Sequence, residues 1–232
     1  MINSVIFDLD DTLYSYKPLH EQAMGQLKIF VTDRFGISET DFWNAFKSAQ
    51  QKNKENLRNT AAEHNRMLYF QYMLEHLKQN PVESSLVMYD LYWNTILNNM
   101  KLEKDAEILL KNCRKMGFKI GICTDLTSNI QHRKIHQLGL TPYIDAIVTS
   151  EECGIEKPSP KMFQTILHKL EAEPKNAVFI GDNYEKDIIG AEKVGITAIW
   201  YTEDVQNLYA RKANNMQDIW KILYELYQYQ KA

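Results

Sequence analysis

The sequence predicts an α/β fold: a Rossmann-like, doubly wound parallel sheet with an all-helical insertion after its first strand. Three observations carry that expectation. From residue 105 onward, short apolar runs alternate with capped helical stretches, the pattern of a parallel sheet covered on both faces. The run Ser4-Val5-Ile6-Phe7 near the N-terminus is too apolar to stand alone and has to join that sheet. Between these parts, residues 15–100 show no strand pattern and are rich in helix formers.

In chain order, the first strand is Ser4 to Phe7, β-branched, short and ended abruptly by Asp8. The insertion is expected to hold four helices of roughly 15 residues, broken at Gly36-Ile37-Ser38, Asn59-Thr60 and Asn80-Pro81. Ser38-Glu39-Thr40-Asp41 and Thr60-Ala61-Ala62-Glu63 read as capping sequences at helix starts. Aromatic faces at Phe42, Trp43 and Phe46 and at Tyr69, Phe70 and Tyr72 are expected to pack those helices together.

Asp105 to Met116 carries apolar residues at helical spacing and stops at Gly117, and Ser128 to Leu138 stops at Gly139 in the same way. The second strand spans 118–123 and the third 144–148. Ser159-Pro160 opens a helix running to about Leu170, with proline at its first position. The fourth strand is Ala177 to Ile180, followed by a helix from Asn183 to Val194 closed by Gly195. The fifth strand is Ile196 to Tyr201. After a polar stretch, a helix from Met216 to about Tyr227 has one apolar face through Ile219, Ile222, Leu223 and Leu226, expected to close the sheet. The expected division is a core of residues 1–14 with 101–232 and a helical domain of 15–100.

Composition bounds the function. The chain has 232 residues, 27 Lys plus Arg against 30 Asp plus Glu, and a formal net charge of −3. With a pI near 6.1, it gives no electrostatic reason to expect a nucleic-acid or membrane-surface partner. No apolar run approaches the roughly 20 residues of a membrane span, and the N-terminus has no targeting pattern. Cys113, Cys123 and Cys153 form no metal or redox motif and read as thiols in a reducing compartment. A cytoplasmic protein, monomer or homodimer, is expected.

In a doubly wound sheet, ligands bind beyond the carboxyl ends of the strands. The first strand leads into Asp8-Leu9-Asp10-Asp11-Thr12 and the second into Thr124-Asp125. Past the third comes Glu156-Lys157-Pro158, and the fourth ends at Gly181-Asp182, with Asp187 five residues later. Crowded carboxylates repel, and a divalent cation relieves that repulsion. Mg²⁺ takes oxygen ligands of this kind. An aspartate accepting a phosphoryl group, with a hydroxyl and an ammonium meeting its oxygens, makes phosphoryl transfer the chemistry these parts suit. Asp8 and Asp10, two apart in extended backbone, are expected on the same side, one as nucleophile and the other as proton donor.

These motifs, Asp8-Leu9-Asp10-Asp11-Thr12, Thr124, Lys157 and Gly181-Asp182 with Asp187, resemble the four signature motifs of the haloacid dehalogenase-like hydrolase superfamily. The resemblance covers the whole chain, with residues 15–100 in the place of that family's helical cap. It implies that Asp8 is the nucleophile and a Mg²⁺ ligand, and that Asp10 is the general acid and base, its backbone carbonyl also on the metal. It further implies that Asp182 completes the protein ligands, with Asp187 and Thr12 in support. Thr124, Asp125 and Lys157 would bind the substrate phosphate. Asp125 departs from the usual asparagine: an ionised carboxylate cannot donate, so either it turns away or phosphate binding there is weaker.

Asp10 favours phosphate chemistry over halide displacement, which needs no proton donor. A small phosphorylated metabolite, a sugar phosphate or nucleoside monophosphate, is the expected substrate of a Mg²⁺-dependent phosphatase. Phosphomutase, dehalogenase and a non-turnover phosphoacceptor are the rivals. Tyr14, Tyr16, Lys17 and His20 follow the first motif and read as hinge packing.

Overall fold

The first strand sits at the middle of the sheet because both of its faces are apolar. In the computed structural model, which describes residues 1–204 and 206–229, β1 (Ser4–Phe7) is buried at all four positions. After it come α1 (Tyr16–Phe35), α2 (Glu39–Leu57), α3 (Arg66–His76) and α4 (Pro81–Asn99). The sheet region then continues with α5 (Ala106–Lys115), β2 (Lys119–Thr124), α6 (Ser128–Gln137), β3 (Ala146–Thr149), α7 (Ser150–Cys153), α8 (Pro160–Leu170) and β4 (Ala177–Gly181). A π-helical turn (Tyr184–Ile189), α9 (Gly190–Lys193), β5 (Thr197–Tyr201), β6 (Lys212–Ala213) and α10 (Met216–Tyr229) complete it. The chain forms two compact units, Met1–Ser15 together with the chain from Lys101 onward, and Tyr16–Met100.

In the sheet unit the strand order is β3-β2-β1-β4-β5-β6, and every pair is parallel. This is the Rossmann-like α/β architecture that the alternation of strand and helix predicts. Phe7 lies opposite Ile122 of β2 and Ile180 of β4, so the residues just past these three ends emerge along one edge. Ile6, Phe179 and Ala198 join Phe163, Ile166 and Ala191 of α8 and α9 in one buried cluster. α5 and α10 pack on each other, with α5 also against β2 and α10 against β5 and β6. The three cysteines are free and buried. Among the described residues, no helix is long and apolar enough to cross a membrane.

Several local expectations are corrected. The helix read over 183–194 begins as a wide turn, in which the Asn183 carbonyl accepts from both Asp187 and Ile188 N–H groups at 2.8 and 3.4 Å. β6 and α7 lie in stretches too short and polar to show a periodic pattern. The third strand is shifted to 146–149.

In the helical unit, Ser38 caps α2 by accepting from Asp41 N–H at 3.1 Å, as read from its sequence. Thr60 does not cap a helix. Its hydroxyl donates back to the Leu57 carbonyl at 2.7 Å, residues 61–64 form a 3-10 turn, and Asn65 caps α3 instead by accepting from Met67 N–H at 2.9 Å. Phe42, Phe46, Tyr69 and Phe70 are buried between the helices, whereas Trp43 stays 41% exposed with its ring edge-on to Phe42.

Arg66 is buried at the first turn of α3, with no carboxylate partner among the described residues. It donates to the His64 carbonyl at 2.8 Å and to the Tyr16 hydroxyl at 2.7 Å, and lies over the Tyr69 and Tyr92 rings. The hydroxyl chain continues from Tyr16 to Tyr92 at 2.6 Å and to His20 Nδ1 at 2.7 Å. Burial, and then the Arg66 charge, push His20 down to about 4.

Candidate active site

The edge defined by β1, β2 and β4 collects side chains from loops far apart in sequence. Asp8 continues β1 by one residue, its N–H donating to the Ile180 carbonyl at 2.9 Å, and its side chain is 9% exposed. Lys157, from the loop between α7 and α8, reaches in to donate to Asp8 Oδ1 at 2.6 Å and to Asp187 Oδ1 at 2.7 Å.

Asp187 owes its place to the wide turn after β4. Opening the turn brings its carboxylate back over the strand end, where Oδ2 accepts from the Asn183 N–H at 3.0 Å. It also needs Gly181: a Cβ at that position would lie 2.6 Å from the Cβ of Asp187. Read from sequence as a supporting residue, Asp187 is 1% exposed and shares Lys157 with Asp8. Asp182 lies beside them, its Oδ1 accepting a long 3.4 Å bond from the Thr12 hydroxyl.

Carboxylate oxygens of Asp8, Asp182 and Asp187 all lie within 4.8 Å of one another. Three acids around one ammonium leave the cluster short of positive charge. Burial pushes Asp8 well above the ordinary carboxylate range, with Asp187 and Asp182 adding to the rise against Lys157. Burial, and then Asp187, lift Asp182 to about 6. Desolvation opposes the charge on Lys157, but Asp187 and Asp8 prevail and hold its pKa above the usual lysine value. The donor set is all oxygen. A Mg²⁺ ion with ligands at about 2.1 Å has opposing oxygens about 4 Å apart, so the cluster suits that ion in chemistry and size.

Asp10 does not share this cluster. The backbone leaves the extended form after β1, with Leu13 N–H donating to the Leu9 carbonyl at 3.0 Å and Asp11 at a positive φ of 56°. The alternation of a strand therefore no longer governs where residue 10 points. Its carboxylate accepts from Lys134 Nζ at 2.6 Å, from Gln131 Nε2 at 3.2 Å and from the Tyr14 hydroxyl. Burial is the largest influence on the Asp10 pKa and acts to raise it, but the Lys134 charge together with the hydrogen bonds from Lys134, Tyr14 and Gln131 outweighs it and holds the group below the ordinary carboxylate value.

Lys134 and Gln131 were not singled out from the sequence. Both lie on the inward face of α6 with Ile130 and Ile135, and both are fully buried. A lysine and a glutamine on an apolar helical stripe are the signal that could have found them.

Gln131 also links Asp10 to the next strand. The same amide donates to the Thr124 hydroxyl at 2.6 Å and to the Asp125 carbonyl at 2.8 Å. The Asp125 carboxylate faces away from this link. Its Oδ1 accepts from the Lys157 backbone N–H at 3.0 Å, and its Oδ2 meets Lys186 Nζ at 2.8 Å. Lys186 also pairs with Glu156 at 2.9 Å. The edge thus carries a buried carboxylate beside an ammonium, a metal-sized oxygen cluster, and a second carboxylate and a hydroxyl joined by one amide. These groups suit transfer of an anionic group to Asp8.

A family model of haloacid dehalogenase-like hydrolases matches residues 2–195. The chain is 36% identical over 207 residues to a ribulose-1,5-bisphosphate 5-phosphatase of Halopiger xanaduensis, covering 87% of this chain and 85% of that one. It is 33% identical over 201 residues to a glyceraldehyde 3-phosphate phosphatase of Methanopyrus kandleri, covering 86% and 83%. Among solved structures, a phosphatase of the same family from Thermococcus onnurineus superposes with a TM-score of 0.76 at 24% identity, over 96% of this chain and 98% of that one.

Proposed function

Because the chain belongs to the haloacid dehalogenase-like hydrolase family, we propose that it is a Mg²⁺-dependent phosphatase of small phosphorylated metabolites, sugar phosphates foremost. The observation that supports this reading most is the meeting of Asp8, Asp182 and Asp187 around Lys157. The named phosphatases at 33–36% identity point the same way for the substrate class.

In this reading Asp8 attacks phosphorus, the bond from phosphorus to the ester oxygen breaks, and the departing oxygen takes a proton from Asp10. Water then attacks the aspartyl-phosphate, Asp10 takes the proton of that water, and inorganic phosphate leaves. The Lys134 pairing favours the carboxylate that Asp10 becomes once it has given up its proton, and the proton taken from water restores the acid form for the next turnover. The Thr124 hydroxyl, the Asp125 backbone N–H and the Lys157 ammonium bind the phosphoryl oxygens. Lys157 also keeps the Asp8 carboxylate aimed. Asp8, Asp182 and the Asp10 carbonyl would hold Mg²⁺, with Asp187 in support and Thr12 fixing Asp182. When bound, the ion supplies the positive charge that lets a carboxylate and a phosphate dianion approach each other.

The test is phosphate release from a panel containing ribulose 1,5-bisphosphate, glyceraldehyde 3-phosphate, nucleoside monophosphates and p-nitrophenyl phosphate, with Mg²⁺ or chelator. Release is expected with Mg²⁺ alone. Asp8→Asn should lower kcat at least about 10³-fold while the circular dichroism spectrum stays unchanged. Release that survives Asp8→Asn or chelation would reject the reading.

A further inference from the structure

A carboxylate next to a phosphate-binding threonine is an awkward choice, since it cannot donate to a phosphoryl oxygen and repels one. Both oxygens of Asp125 are already engaged. Oδ1 holds the backbone N–H of Lys157 and Oδ2 holds the ammonium of Lys186, which in turn holds Glu156, the residue before Lys157. Lys186 directly precedes Asp187, the second carboxylate on Lys157 Nζ. Asp125 therefore fastens the loop after β2 to the 156–157 segment and to the turn after β4. Lys157 is gripped at both ends, by Asp125 at its main chain and by Asp8 and Asp187 at its side chain.

We propose that Asp125 is a positioning residue for Lys157, and that Lys186 is the counter-ion that lets a carboxylate serve there beside a phosphate. The proposal rests on the phosphatase reading for its site and goes beyond it in assigning these two roles. Glu156 is 5% exposed and the Asp125 side chain 17%, so both acids are largely shielded from water, while the Lys186 side chain that pairs with them is 35% exposed. Removing Lys186 alone takes away the ammonium that Asp125 and Glu156 share where a dianion must enter. Replacing Asp125 by asparagine keeps an oxygen for the Lys157 N–H and removes one of those charges.

The experiment measures kcat and KM with Mg²⁺, and the Kd of inorganic phosphate by calorimetry on the Mg²⁺-loaded protein. The variants are Asp125→Ala, Asp125→Asn, Lys186→Met and Asp125→Asn with Lys186→Met. Lys186→Met should raise KM and the phosphate Kd about tenfold, the factor that 1.4 kcal/mol makes, with the effect on KM rather than kcat. Adding Asp125→Asn to Lys186→Met should recover most of that loss, a sign reversal that independent structural damage does not produce. Asp125→Ala should lower kcat further than Asp125→Asn.

A double variant that binds phosphate no tighter than Lys186→Met, or equal kcat in the two Asp125 variants, overturns the proposal. So does a wild-type protein that binds no phosphate. If the wild type binds phosphate yet turns over no substrate, the phosphatase reading fails, and the calorimetric cycle alone decides the roles of Asp125 and Lys186.

Discussion

Lys157 in the sheet unit and Arg66 in the helical unit are both nearly sealed from water, at 4% and 9% exposure, yet their surroundings are opposite. Lys157 touches two carboxylates, and a third lies within the same cluster. Arg66 touches a carbonyl, phenol oxygens and ring faces, with no acid partner among the described residues. One region holds more negative charge than it neutralises, and the other holds a positive charge that only dipoles and π-faces solvate. Burial is tolerated in both because every strong donor has an acceptor at close range, apart from the Arg66 Nε. Removing the cation therefore has opposite consequences: one site is left with stranded anions, the other with none.

Lys157→Met is expected to produce the largest effect, a loss of about 3–5 kcal/mol in urea unfolding in chelator, the usual cost of deleting one member of a buried ion pair. Saturating Mg²⁺ should narrow the gap to wild type, because the ion binds only the folded cluster. An equal gap with and without Mg²⁺ would separate the acids from any metal.

Arg66→Met should cost less, about 2 kcal/mol for its lost hydrogen bonds, and should be indifferent to Mg²⁺. It should also raise the His20 titration midpoint, read by NMR, from about 4 toward its ordinary value of 6.5, since the Arg66 charge contributes to the depression. A midpoint that stays put would assign the depression to burial alone.

His20 gives a smaller, pH-dependent difference. Its folded pKa of about 4 lies below the unfolded 6.5, so the unfolded state binds more protons between those values and stability falls as pH drops through that window. The full shift would exceed 3 kcal/mol by the usual conversion of 1.36 kcal/mol per pH unit, but the ring is only partly buried and solvent screens it. A loss of about 1–2 kcal/mol between pH 7 and pH 4 is expected in urea melts, flattened in His20→Gln. The smallest effect belongs to Thr60→Ala, a few tenths of a kcal/mol. Asn65→Ala, which removes a cap that forms, should cost about 1 kcal/mol.

Much of this contrast was legible in the sequence on one side and hidden on the other. The strand ends could be read because a parallel sheet buries both faces and leaves unbroken apolar runs that stop at polar residues, as Phe7 does at Asp8. Asp8, Lys157, Asp182 and Asp187 could be grouped because topology sends all strand ends to one edge. Lys134 and Gln131 could not be grouped that way, since they lie inside a helix and reach the edge only through its packing angle. Arg66 was equally hidden: nothing in a local window shows that Tyr16, separated from it by two helices, would accept its hydrogen bond. The partners of Asp10 were hidden for a related reason, because the turn after Phe7 carries the Leu9 to Leu13 bond, which the alternation of side chains does not foretell.

Gly181 makes one position of β4 unusually revealing to mutagenesis. The volume where its methyl group would sit belongs to Asp187, so Gly181→Ala competes for space with a charged group rather than with a hydrocarbon. A crowding lesion there would surface as an electrostatic defect, with Lys157 losing a partner although no ionisable residue had been changed.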